Sequence, residues 1–194
     1  MGIEFELKYG ATPALLSRLR QDISGQEQAY AMHTTYYDTP TGQFSARRCT
    51  LRCRLENGSP ICTLKTPAEG FGRREWEVAC ARVEDAIEML CKLGAPKEIL
   101  SLAREGLVPI CGARFTRIAK TVALDGCVVE LALDEGELYG ADRKRPFWEV
   151  EVELKDGSSE RCVAYAKTLA QTYGLVSEHK SKFQRALALY RGEE

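Results

Sequence analysis

The chain has 194 residues, 44% of them hydrophobic and 28% charged, an ordinary globular composition for one domain over residues 1–194 that argues against a disordered chain. Its 27 basic and 28 acidic groups leave a net charge of −1, which argues against a basic nucleic-acid surface or a polybasic membrane patch. No apolar run approaches the ~18 residues of a membrane span, and charges occupy the N-terminus where a secretory leader would be apolar, so the sequence reads as cytoplasmic.

Residues 2–9 predict a strand in which Glu4, Glu6 and Lys8 share one face and Ile3, Phe5 and Leu7 the other. Thr12 and Pro13 open a helix with the apolar stripe Leu15, Leu16, Leu19 and Ile23. Strands follow over 28–38, 48–57, 60–67 and 72–80, with Asn57-Gly58 marking a tight hairpin turn. Along them Arg52 and Arg54 oppose Leu51, Cys53 and Leu55, Lys65 shares a face with Thr63, and Arg73, Glu75 and Glu77 oppose Trp76 and Val78. Helices over 83–93 and 97–104 end at Gly94 and Gly106.

Two long strands, 109–124 and 127–138, flank a second turn at Asp125-Gly126. Arg117 lies on the first of them; on the second, Glu130 and Asp134 flank Ala132. A strand over 146–155 puts Glu149, Glu151 and Glu153 on one face. Ser158 or Ser159 caps a helix ending at Tyr173, and Ser181 caps a last one through Tyr190. Eight cysteines are scattered without a C-x-x-C, and only His33 and His179 accompany them, so they read as buried reduced thiols rather than a zinc site.

Rows of charge on strand faces are compatible with a solvated sheet face. Here, however, acidic and basic rows sit on separate strands at nearly every alternating position. An eight-stranded antiparallel sheet closed with these faces inward would make a wet tunnel, its apolar faces packed on helices outside. Carboxylates would hold a hard divalent cation, and Arg and Lys would hold phosphoryl oxygens. The expected fold is therefore α+β, an eight-stranded antiparallel β-barrel tunnel with a charged interior.

The ordered segments Glu4-x-Glu6-x-Lys8, Thr35 to Pro40, Leu51-Arg52-Cys53-Arg54, Thr63-Leu64-Lys65, Arg74-Glu75-Trp76-Glu77, Phe115-Thr116-Arg117, Val129 to Asp134, Glu149 to Glu153 and Ser181-Lys182-x-x-Arg185 resemble the CYTH superfamily of triphosphate tunnel metalloenzymes. Within it the chain is most similar to bacterial inorganic triphosphatases, which often carry a further helical CHAD domain after the tunnel. The resemblance implies hydrolysis of tripolyphosphate to pyrophosphate and phosphate. It implies Lys8, Arg52, Arg54, Lys65, Arg74, Arg117, Lys182 and Arg185 as groups holding a substrate of roughly four to five negative charges. It implies Glu4, Glu6, Glu149, Glu151 and Glu153 as ligands of one or two Mg²⁺ or Mn²⁺ ions. Lys8 joins the catalytic groups, and Glu130, Asp134 and Glu153 are candidate bases. The last helix could plug one tunnel mouth, or its Lys182 and Arg185 could only pair with surface acids.

Tyr36, Tyr37, Trp76 and Trp148 read as packing residues, and the two histidines carry no assigned chemistry. Four alternatives stay open: a nucleoside triphosphatase, a thiamine triphosphatase, a class IV adenylate cyclase and a non-catalytic polyphosphate or nucleotide binder. A homodimer through outer strands or helices is also left open.

Overall fold

The computed structural model describes residues 2–3, 5–68 and 73–193. Its strands are β1 (Gly2–Ile3), β2 (Glu6–Gly10), β3 (Gln26–Asp38), β4 (Thr50–Glu56), β5 (Ser59–Pro67), β6 (Arg73–Ala79), β7 (Val108–Leu124), β8 (Cys127–Gly140), β9 (Arg143–Gly157) and β10 (Val176–Ser177). They form one antiparallel sheet in the order β1-β6-β5-β4-β3-β7-β8-β9-β2-β10. The strand expected over 2–9 is thus two pieces with different partners. Ile3 pairs with Arg74, while the Phe5 carbonyl accepts from Leu154 N at 3.0 Å and Glu6 pairs with Glu153. Two residue steps reach no more than about 7 Å, so the N-terminal stretch draws β6 and β9 together and bends the sheet into a barrel-like tunnel. Chain continuity, not a ladder between β1 and β2, joins the ring.

The helices are α1 (Pro13–Asp22), α2 (Gln43–Ala46), α3 (Val83–Lys92), α4 (Glu98–Ala103), α5 (Ser159–Tyr173) and α6 (Lys182–Arg191). Thr12 caps α1 and Ser158, not Ser159, caps α5; Ser181 and Gln184 form a reciprocal capping box on α6. The unanticipated α2 is organised by buried Asp38, whose carboxylate accepts from the Thr39, Phe44 and Ser45 backbone N–H groups. Both Asn57 (φ 49°) and Gly58 (φ 85°) are left-handed, as expected, whereas at the second turn only Gly126 (φ 80°) is. Arg48, at φ 57°, delays the start of β4 to Thr50.

Two apolar cores lie outside the tunnel. Leu16 and Leu19 of α1 and Cys162, Ala166 and Leu169 of α5 pack on Leu131, Val150 and Val152. Phe44 of α2, Ile87 and Leu90 of α3 and Ile99 of α4 pack with Leu51, Leu64 and Trp76. A third cluster occupies the other face, where Met32, Tyr36, Phe115, Leu138 and Phe147 meet Ala186 and Leu189 of α6. Helices α1 to α5 thus cover the outside, and α6 stoppers one end. Gly140 permits that approach, because a Cβ there would lie 2.6 Å from Ala186 O and 2.5 Å from Tyr190 N. Among the described residues no helix is long and apolar enough to cross a membrane.

Candidate active site

The inward face encloses a cavity of about 370 Å³. Among the described residues its lining includes eight basic and seven acidic side chains. Each side carries both signs in unequal share. Arg52 and Arg54 on β4, Lys65 on β5 and Arg73 on β6 make one wall mainly basic beside Glu56, Glu75 and Glu77; Glu6 on β2, Glu153 and Glu151 on β9 and Glu130 on β8 make the other mainly acidic beside Lys8 and Lys155. With β3 and β7 between these groups on one side and β1 on the other, the walls face each other across the ring.

Alternation alone produces the basic wall, since Thr50 pairs with Lys65, Arg52 with Thr63, and Lys65 with Glu75. Arg73 Nη2 donates to Thr50 Oγ1 at 3.0 Å and to the Lys65 carbonyl at 3.2 Å, and so holds the wall's end. Lys65 and Arg52 lie 3.4 and 3.5 Å from the Glu75 carboxylate. Arg54 donates to Thr34 Oγ1 at 3.3 Å and Glu56 Oε1 at 3.1 Å. Burial first, then repulsion from Arg52 and Arg117, pulls its guanidinium below the usual arginine value. Cations crowded in this way favour a bound polyanion.

The acidic wall has two depths. At the lumen, Glu6, Glu153 and Glu130 stand directly opposite one another on three neighbouring strands. Lys8 is 3.1 Å from Glu6, and Lys155 is 2.9 Å from Glu153 and 3.7 Å from Glu130. Beneath them Asp134, Glu149 and Glu151 offer oxygens within 4.8 Å of one another, close enough to hold a metal ion. In this structure they enclose Lys182. Its Nζ lies 2.8 Å from Asp134 and 2.8 Å from Glu151 and also contacts Glu149, while Arg117 binds Asp134 and Glu151 and Arg185 binds Glu149.

Three buried carboxylates are thus matched by three cations of the chain. Burial would raise the Glu151 carboxyl, but Lys182 and Arg117 hold it well below the usual carboxylate range. At Glu149 burial wins over Lys182, and with repulsion from Glu151 it pushes that carboxyl up to about 7.

Of the residues singled out in the sequence, Lys8, Arg52, Arg54, Lys65, Arg117, Lys182, Glu6, Glu130, Glu151 and Glu153 line the cavity. Glu4 lies outside the described residues. Glu149 and Asp134 are fully buried and Arg185 reaches Glu149 from α6; of the expected metal ligands, Glu149 and Glu151 come together with Asp134, and Glu6 and Glu153 stand opposite each other on β2 and β9. Arg74 is exposed, on the strand face opposite Arg73. Its neighbour Trp76, buried in the outer core, fixes that phase, and Arg73 holds the inward position that alternation gives it, whereas Arg74, implied as a substrate group by the resemblance, faces outward. Lys155, Glu56 and Tyr30 also line the cavity and were not singled out. Tyr36 is buried at the cavity wall, its ring centroid 5.0 Å from that of Phe183.

Comparisons with known proteins agree with this geometry. The inorganic triphosphatase of Haemophilus influenzae is 26% identical over 194 residues, covering 96% of this chain and 54% of that protein; the chain spans about half the length of the curated relative it matches. A Hippeastrum protein described as a candidate adenylyl cyclase with a dominant triphosphatase activity superposes with a TM-score of 0.70 at 20% identity, covering 98% of this chain and 96% of that one. A candidate adenylate cyclase of Bacillus halodurans superposes at 0.65 with 19% identity, covering 94% and 96%. At such identities the superpositions establish a shared fold. The CYTH domain family matches residues 2–187, and the chain belongs to that family.

Proposed function

We propose that this chain is a divalent-metal-dependent triphosphatase that hydrolyses inorganic tripolyphosphate to pyrophosphate and phosphate in its tunnel. The observation that carries this reading is a cavity in which a wall bearing Arg52, Arg54, Lys65 and Arg73 faces one bearing Glu6, Glu130, Glu151 and Glu153. The Haemophilus influenzae relative, named as an inorganic triphosphatase, supports it. The eight free thiols support placing it in the cytoplasm.

Arg52, Arg54, Lys65 and Arg73 would take the phosphoryl oxygens, the arginines by two-point hydrogen bonds and the lysine as a point charge. Arg117 and Lys182 would bridge from the buried carboxylates to the substrate. The residues present fit a hard divalent cation, because Asp134, Glu149 and Glu151 offer carboxylate oxygens within 4.8 Å of one another and Glu6, Glu153 and Glu130 stand opposite one another in register at the lumen. A Mg²⁺ or Mn²⁺ ion bound there would neutralise phosphoryl charge and favour attack by water. Asp134, saturated by Arg117 and Lys182, positions those cations; Glu130 and Glu153, part-exposed at the lumen, are better placed to accept the proton of the attacking water.

The test is phosphate release from tripolyphosphate, ATP and thiamine triphosphate with Mg²⁺ or Mn²⁺, comparing wild type with Glu6→Gln and Glu153→Gln. Metal-dependent release from tripolyphosphate, lost in both variants, is expected. Release that is indifferent to metal and to both substitutions sinks the reading; preferential turnover of ATP or formation of cyclic AMP replaces the substrate.

A further inference from the structure

We propose that Lys155 is a built-in counter-ion of the acidic wall, one that gives up its place to the divalent ion and thereby sets how tightly the site holds metal. The inference rests on the metal-dependent reading above. Lys155 is the residue that the β8–β9 ladder skips: Val129 faces Leu154 and Val128 faces Asp156. It lies two residues beyond Glu153, so alternation puts its side chain on the face of Glu149, Glu151 and Glu153. Its ammonium stands over the lumen, 2.9 Å from Glu153 Oε1 and 3.7 Å from Glu130 Oε1.

The position matters because Glu130, Glu153 and Glu6 are cross-strand neighbours in a row, an arrangement in which like charges repel. Lys8 serves the Glu6 end of that row and Lys155 the Glu130 end. Lys182 offers the contrast within the same tunnel. It is enclosed by three carboxylates with 9% of its side chain exposed, whereas Lys155 has two partners and 40% exposed. A half-exposed ion pair is weak and screened by salt, while a divalent ion gathers several short oxygen contacts from the same acids. Lys155 is therefore the cation that exchanges and Lys182 the one that stays.

The experiment measures Mn²⁺ binding to the full chain without substrate, by the loss of the free-ion paramagnetic resonance signal, and melting temperature in EDTA and along an Mn²⁺ titration. Lys155→Met and Lys155→Gln are compared with wild type and with Lys144→Met, which removes the same charge from a lysine that pairs with Glu137 outside the cavity. Removing one charge beside a divalent ion predicts about tenfold tighter Mn²⁺ binding in both Lys155 variants. They should also melt lower in EDTA and gain more on Mn²⁺ addition, with Lys144→Met behaving as wild type. Wild-type uptake of Mn²⁺ with no tightening in the Lys155 variants, or equal tightening in Lys144→Met, overturns this inference alone. Absence of Mn²⁺ uptake by wild type overturns the metal-dependent reading and this inference with it.

Discussion

Arg117 and Asp134 stand directly opposite each other on β7 and β8, joined by two parallel hydrogen bonds, Nε to Oδ1 at 2.8 Å and Nη2 to Oδ2 at 2.7 Å. Asp134 is fully buried and also holds Lys182 at 2.8 Å, so one carboxylate anchors two of the tunnel's cations. Asp134→Asn keeps the shape and removes the charge, leaving both cations short of a partner. The expected loss is about 3 kcal/mol of stability, read from the midpoint of urea unfolding with the slope unchanged. A loss under about 1 kcal/mol would mean that Glu149 and Glu151 suffice to hold Arg117 and Lys182.

Glu149 gives stability a pH dependence of predictable sign. Burial, only partly offset by Lys182, together with repulsion from Glu151 pushes its carboxyl up to about 7. Between the ordinary glutamate value and about 7 the folded chain then holds a proton that the unfolded chain has lost, so this group's contribution falls as pH rises through that window. Urea midpoints at pH 5, 6, 7 and 8 should decline more steeply in wild type than in Glu149→Gln. Equal slopes would place the Glu149 carboxyl in the ordinary range.

Period-two alternation made the charged rows of β2, β4 and β5 and of β7 to β9 legible, because a strand needs only its own residues to decide which side chains share a face. The turn at Asn57-Gly58 and the caps at Thr12 and Ser181 were equally local. What the sequence could not display is which rows meet. The burial of Lys182 among Asp134, Glu149 and Glu151 depends on α6 entering the tunnel, and that entry depends on Gly140, some forty-five residues from the middle of α6. Lys155 was legible in the same way as the charged rows, since alternation puts it on the face of Glu149, Glu151 and Glu153, one step beyond the last of them. Alternation against Trp76 put Arg73 inward, whereas the resemblance pointed to Arg74, which shares the outward face of Trp76.

Thiol reactivity should follow burial. Cys62, Cys111, Cys127 and Cys162 are buried, and burial, followed by the nearby Asp38 charge, pushes the Cys111 thiol up to about 12. Cys49, Cys53, Cys80 and Cys91 are only part-buried. Brief alkylation of the native chain at pH 8, mapped by mass spectrometry, should modify the second group and spare the first, with all eight modified in denaturant. Native labelling of Cys127 or Cys162 at the rate seen in denaturant would show that α5 does not stay seated on the outer face.

The seat of α6 can be tested at one atom. A Cβ at Gly140 would lie 2.6 Å from the Ala186 carbonyl and 2.5 Å from Tyr190 N, and neither backbone atom can move unless the helix does. At Gly10 the nearest atom to such a Cβ is 3.8 Å away, ordinary contact, so Gly10→Ala is the matched control. Gly140→Ala should cost about 1 to 3 kcal/mol, the range for forcing extra volume into a packed site. The loss should be local as well as global. A displaced α6 withdraws Lys182 and Arg185 from Glu149 and exposes both to trypsin, so limited proteolysis should cut after them at least tenfold faster than in wild type, a ratio matching roughly 1.4 kcal/mol of added opening. Unchanged cleavage together with a lower melting temperature would mean that the strain spreads into β8 instead, and that the docking of α6 does not depend on the absence of a side chain at position 140.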